Sequence, residues 1–265
     1  MSNEVYSHGH HASVTAAHAL RTVATSAAYL EPLLEAGMEV LDLGCGPGSI
    51  TVGFADLVAP GSVLGVDRSA DVIAQAAATH EGTANAQFRE GNVYDLDAAD
   101  ESFDVVHAHQ VLQHLADPVA ALREMRRVVR PGGIVAVREA DFGAMVWSPA
   151  VGELDEWRSL YQQLARGNGG EPDAGRLLPT WAAAAGFTDV EVSSSNWTYA
   201  SPDERTPFAQ SWAERVLHSA FAGQTLQRGL ADQQTLRRLA EGWLRWSRMD
   251  GALFLMPSVE ILARG

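Results

Sequence analysis

The chain has 265 residues, with 33 acidic against 19 basic side chains and a formal net charge of −14, a surface that repels nucleic acid and anionic membrane and excludes both as expected partners. A composition of 46% hydrophobic and 20% charged residues supports one well-buried domain rather than a disordered chain. The single cysteine, Cys45, leaves no disulfide to form within the chain, residues 1–19 lack the basic start and apolar run of a signal peptide, and no apolar run is long enough for a bilayer, so a cytoplasmic protein is expected.

Residues 1–12 are polar and carry His8, His10 and His11 without a neighbouring acid or cysteine, so no metal site is expected there. Over 13–35 the spacing of Val14, Ala17, Leu20, Val23, Ala27, Leu30 and Leu34 predicts a helix that Gly37 stops. A strand over 39–43 then runs into Gly44-Cys45-Gly46-Pro47-Gly48, followed by a helix over 49–58 and a Pro60-Gly61 turn. A strand over 62–66 ends at Asp67, and Ser69 caps a helix running to residue 79. Strands are predicted over 86–90 and 103–107. A helix over 117–129 has Pro118 behind its Asp117 cap and Pro131-Gly132-Gly133 closing it, and a strand covers 134–138. Strands that alternate with helices and are apolar without strict alternation predict a parallel sheet covered on both faces.

Beyond residue 145, helices are predicted over 151–165 and 175–185, a strand over 190–199, a largely helical stretch over 203–248 and a last strand over 252–262. The expected fold is therefore α/β, a doubly wound, Rossmann-like, mostly parallel sheet of seven strands with helical cap insertions. It is a single domain whose cofactor-binding core covers about 36–145, with cap segments at about 146–185 and 201–248.

The loop of three alternate glycines carries most of the chemistry. Glycine in a strand-to-helix turn lets backbone amides approach a ligand closely, and the helix N-terminus behind it favours anionic groups. Asp67, one β-α unit further on, stands where an acid accepts hydrogen bonds from ribose hydroxyls. The spacing G-x-G-x-G, followed by Ser49 and Ile50, is not the G-x-G-x-x-G of nicotinamide folds, which leaves the nucleoside open on these grounds.

Val40 to Gly48, Val66-Asp67, Gly91-Asn92-Val93, Phe103 to Val106 and the LREMRRVVRPGG segment from Leu122 to Gly133 resemble the ordered motifs of class I S-adenosylmethionine-dependent methyltransferases. The likeness is greatest to the small-molecule branch related to ubiquinone and menaquinone biosynthesis, and it covers about 38–140. The resemblance implies that Asp42 and Gly44, Cys45, Gly46 and Gly48 form the methionine-binding loop. It further implies that Asp67 binds the ribose with Arg68 beside the adenine, that Asn92 (often Asp in the family) and Val93 edge the adenine, and that His109 and Gln110 line the methionine portion and the transfer site.

Methyl transfer from a sulfonium asks chiefly for alignment, so no catalytic triad is expected and none is found. His109 and Asp141, both at carboxyl ends of strands, are candidates for a base and for an orienting acid, with Glu139 a weaker one. Tyr6 and His8 are candidates for closing the pocket. His107 and His114 are expected to be packed. Of Trp147, Trp197, Trp212, Trp243 and Trp246, one or two are expected to touch substrate. The expected acceptor is a small, cyclic or aromatic metabolite, as in secondary metabolism, methylated at N, O or C, and a homodimer is left open. The alternatives are a non-catalytic cofactor-binding protein and an NAD-dependent oxidoreductase.

Overall fold

In the computed structural model, residues 21–264 are described. Five strands run parallel in the order β3-β2-β1-β4-β5: β1 (Val40–Leu43), β2 (Val63–Asp67), β3 (Ala86–Glu90), β4 (Phe103–His109) and β5 (Val129–Ala140). Beyond β5 lies β8 (Leu253–Arg264), antiparallel to it, and β7 (Asp189–Tyr199) pairs antiparallel with β8 along its whole length. Chain order reverses between β1 and β4, so a crevice for ligands opens at the carboxyl ends of those two strands. All four residues of β1 are buried, as befits a strand with neighbours on both edges and cover on both faces.

The covering helices begin and end where side chains dictate. Helix α2 (Ser49–Val58) starts directly behind Gly48; α3 (Ala70–Thr79) begins where Ser69 accepts from the Val72 amide; α4 (Pro118–Val128) begins where Asp117 accepts from the Ala120 amide, with Pro118 in the first turn. One face of the sheet places Leu41, Val106, Val135, Val137 and Ile261 against α4 and α6 (Leu178–Ala184). On the other face, Val40, Val105 and Ala136 meet Phe54, Ala55 and Val58 of α2. Register carries this second face onward as a polar row: Asp42 is paired with His107, His109 with Arg138, and Arg138 with Glu260.

A second core forms from α5 (Gly152–Gly167), α7 (Pro202–His218), α8 (Ala220–Gln227) and α9 (Gln233–Trp246), around Trp157, Trp212, Trp243 and Trp246. Trp157 meets Trp212 and Trp243 edge-on, with ring centroids 4.5 and 4.8 Å apart, a geometry that adds to their burial. No described helix is long and apolar enough to cross a membrane.

Several expectations need correcting. The helix predicted over 13–35 survives, in its described part, only as α1 (Val23–Ser26) and a 3-10 turn at Glu31–Leu33. Pro32 lacks the N–H that would continue the helix. Pro131-Gly132-Gly133 does not close α4 but is absorbed into β5, where pairing passes from Val129 with Phe103 to Ile134 with Val105 through an irregularity. An eighth strand, β6 (Val146–Ser148), pairs with β8 beyond the end of β5; three residues are too few to show a period. The expected cap at 146–185 divides, because Leu178 and Ala182 of α6 pack with α4 in the sheet layer while α5 joins the tryptophan core.

Candidate active site

Gly44 and Gly46 lie in the left-handed region, at φ of +65° and +54°, where other residues are strained. They differ in what surrounds them. A Cβ on Gly44 would strike the Val111 side chain, whereas one on Gly46 would meet nothing within 4 Å. The first glycine permits close packing of the loop against the segment after β4; the second leaves open space in front of the loop. Asp42 supports the loop from below. It is buried, accepts from Thr51 Oγ1 at 2.6 Å and lies 2.8 Å from His107 Nδ1. His80 Nε2 lies 3.0 Å from the Pro47 carbonyl, a support with no signal in the motif itself. Burial, with Asp42 and Asp67 nearby, pushes the Cys45 thiol far up, so it is an inert wall.

Asp67 sits half-buried at the carboxyl end of β2. Its Oδ2 accepts from the Gly46 amide at 3.2 Å and its Oδ1 from the Ser69 amide at 3.0 Å. Each oxygen keeps a second lone pair for a ligand hydroxyl. Arg68 is exposed beside it. Asn92 is exposed, with Oδ1 accepting from the Tyr94 amide at 3.1 Å, and Val93 is half-buried. These residues suit a nucleoside carried by backbone amides and one acid: open space at Gly46, an acid with spare lone pairs, and an apolar edge at Val93.

A cavity of about 860 Å³ adjoins this site. Its wall comes from α1, the segment after β4, the ends of β5, β7 and β8, and α7. Gln110 lines it, with φ of +55° and its N–H donated to the Arg138 carbonyl at 2.8 Å. Arg21 donates to Gln110 Oε1 at 2.7 Å, while Gln110 Nε2 has no partner among the described residues. The next residue is Val111, the one packed against Gly44, so a single dipeptide touches loop and cavity together.

Residues 34–199 match the model of a methyltransferase domain family. An uncharacterised methyltransferase of Schizosaccharomyces pombe is 38% identical over 97% of this chain and 95% of its own. The chain belongs to this methyltransferase family. It is an S-adenosylmethionine-dependent enzyme. A demethylmenaquinone methyltransferase of Geobacillus stearothermophilus is 30% identical over 60% of this chain and 74% of its own. Among solved structures, a putative methyltransferase of Bacillus halodurans superposes with a TM-score of 0.60 at 19% identity, covering 89% of this chain and 97% of that one; this is a likeness of fold.

The methyltransferase's structure places several of the predicted residues away from the described cavity wall. His109 is buried behind Trp197, with ring centroids 5.7 Å apart and both ring nitrogens shielded, and it is not part of the described cavity wall. Asp141 is also outside the wall: it caps a 3-10 turn through the Ala144 amide and takes a two-pronged ion pair from Arg176, at 2.7 and 2.5 Å. Both carboxylate oxygens are thus engaged within the fold. Glu139, buried, accepts from the Val111 and Leu112 amides at 2.8 and 2.6 Å, which fixes the segment carrying Gln110. Burial lifts its carboxyl to about 8, against those backbone donors and Arg138. Tyr6 and His8 lie outside the described residues. Of the five tryptophans, Trp197 and Trp212 line the cavity, Trp243 and Trp246 fill the cap core, and Trp147 stacks on Phe254. Sequence reasoning did not find Arg138, Glu260, Tyr29 or Arg215 in the wall. Arg138 and Glu260 meet only through strand register, and no local pattern marks them.

Proposed function

We propose that this methyltransferase transfers the methyl group to a small cyclic or aromatic acceptor held in the cavity beneath α7, with the cofactor lying across the glycine loop. The observation that carries this reading is the Gln110–Val111 dipeptide, packed on Gly44 at one residue and lining the cavity at the other. Trp197 and Trp212 offer flat apolar surface within that wall.

Bound there, S-adenosylmethionine supplies a methyl group already activated on a sulfonium, so the protein's work is alignment and exclusion of water. Asp67 accepts from the ribose hydroxyls through its spare lone pairs, and Val93 with Asn92 edges the adenine. The amides of the loop from Gly44 to Gly48 hold the methionine end. Asp42, tied to Thr51 and His107, keeps that loop in shape without touching the ligand. Glu139 holds Val111 and Leu112, directly after Gln110, at the junction. The cap supplies acceptor specificity, since the cofactor half is shared by many chemistries.

The test is transfer of label from methyl-labelled S-adenosylmethionine to a panel of small aromatic acceptors. We expect a labelled product whose kcat/KM falls at least about tenfold in Trp212→Ala, with S-adenosylhomocysteine affinity unchanged. Label arriving only on protein or nucleic acid would contradict the reading.

A further inference from the structure

Strand register brings a buried arginine into the cavity wall. Arg138 of β5 is paired with Glu260 of β8, and it is 1% exposed although it belongs to that wall. Nε donates to Glu260 Oε1 at 3.1 Å, and both Nε and Nη2 donate to Ser195 Oγ at 3.2 Å. Glu260 is fixed in turn by the hydroxyls of Ser193 and Ser195, at 2.8 and 2.5 Å. The guanidinium lies over the Trp197 ring, 4.8 Å from its centroid, and that indole donates to the Thr25 carbonyl at 2.7 Å. The arginine is therefore held in one place, with its charge already paired.

One of its nitrogens is left over. Nη1 is buried and has no hydrogen-bond partner among the described residues. The Tyr29 hydroxyl, in the turn after α1, shares that condition: it is buried, its residue belongs to the same wall, and it has no partner among the described residues. The two groups feel one another. Burial first, and Glu260 after it, holds the Tyr29 phenol well above its ordinary value, while Arg138 pulls the other way. The phenol thus keeps its proton and can donate, and a guanidinium nitrogen can only donate. Two buried donors without an acceptor are costly, and a ligand oxygen removes that cost.

The pairing of Arg138 also says what kind of oxygen fits. Its counter-charge is present in Glu260, so Nη1 asks for a lone pair and not for a second anion. A carboxylate brought there would stand against Glu260 as a like charge and lose its water besides. A hydroxyl would bring a proton of its own to be placed among donors. A carbonyl oxygen offers two lone pairs and no proton. Phe208 and Trp212 supply apolar surface in the same wall for the body behind it.

We infer that the methyl acceptor carries a neutral carbonyl oxygen, as an aryl ketone, aldehyde or ester, and that Arg138 Nη1 and the Tyr29 hydroxyl receive it. This rests on the cavity being the acceptor site. Arg138 and Tyr29 then determine specificity: they choose and orient the acceptor and take no part in moving the methyl group.

The probes are 2-acetylnaphthalene, isotope-labelled at the carbonyl carbon, its hydrocarbon counterpart 2-ethylnaphthalene, and the anion 2-naphthoate, each titrated into full-length protein saturated with S-adenosylhomocysteine. The ketone is expected to bind, 2-naphthoate to bind more weakly, and the infrared carbonyl stretch of the bound ketone to be lowest in wild type. Arg138→Lys, which keeps a cation beside Glu260, and Tyr29→Phe should each weaken the ketone about tenfold and raise its stretch, with 2-ethylnaphthalene bound alike in every protein. Tyr29→Phe should leave the unfolding midpoint of the unliganded protein unchanged or higher, because the hydroxyl it removes has no partner among the described residues. Affinity for S-adenosylhomocysteine, measured on the same samples, reports folding; if Arg138→Lys loses it, Tyr29→Phe decides. A ketone that binds the variants as it binds wild type, a lowered midpoint in Tyr29→Phe, or 2-naphthoate bound more tightly than the ketone overturns this inference alone. Protein that binds S-adenosylhomocysteine but none of the probes overturns the acceptor-site reading beneath it.

Discussion

Gly44 and Gly46 share a left-handed backbone but separate in what a methyl group would do. Gly44→Ala places a Cβ into Val111 and disturbs the segment that also carries Gln110, so both stability and cofactor binding should fall. Gly46→Ala meets no protein atom within 4 Å; it should cost only about 1–2 kcal/mol of backbone strain yet weaken S-adenosylhomocysteine sharply. Urea unfolding and calorimetric titration of both variants check this, and equal affinity in Gly46→Ala and wild type would contradict a ligand in that space. Glu139 gives a pH signature. An unfolded glutamate titrates near about 4.3, whereas the folded one titrates at about 8. Between those values the native state holds a proton that the unfolded chain has lost, so this group's contribution falls as pH rises through the window and is flat above it. Glu139→Gln, which keeps an acceptor for the Val111 and Leu112 amides, should therefore gain stability relative to wild type from pH 5 to pH 8. A constant difference across that range would show that burial does not raise Glu139. At this scale the contiguous residues were legible: the glycines and Asp67 announce themselves through one loop and one β-α unit. Arg138 and Glu260 lie 122 positions apart in sequence and meet only by register, so no reading of local pattern could join them.

Among the elements, strands and helices with strong apolar spacing and a cap were legible almost to the residue. Helix α2 has the predicted bounds, and Ser69 and Asp117 cap α3 and α4 as expected. Errors fall where tertiary pairing overrides local chemistry: the proline and glycines drawn into β5, the three-residue β6, and α6, which reads as cap but packs on α4. Asp141 belongs at this scale, because its bond to Arg176 ties the end of β5 to the turn preceding α6. Breaking it leaves Arg176, a half-exposed group, free to hydrate. Asp141→Asn should thus lower stability by about 1 kcal/mol and leave kcat/KM for a found acceptor within about twofold. A drop in kcat of a hundredfold with the fold intact would restore the orienting role that the sequence suggested.

Across the whole molecule, one sheet serves two cores. The half that carries the glycine loop was legible because strand, loop and acid follow in order along the chain. The half that walls the cavity was not, since its described wall draws on α1, β5, β7, β8 and α7 at once, and only the folded chain assembles them. The central claim is that the glycine loop and Asp67 hold S-adenosylmethionine beside this cavity. Calorimetric titration of wild-type protein and Asp67→Ala with S-adenosylmethionine, S-adenosylhomocysteine and NAD tests it most directly. The account predicts tight binding of both sulfur nucleosides by wild type, none of NAD, and an affinity about ten- to a hundredfold weaker in Asp67→Ala; binding of NAD alone, or an Asp67→Ala variant that binds as wild type does, would contradict it.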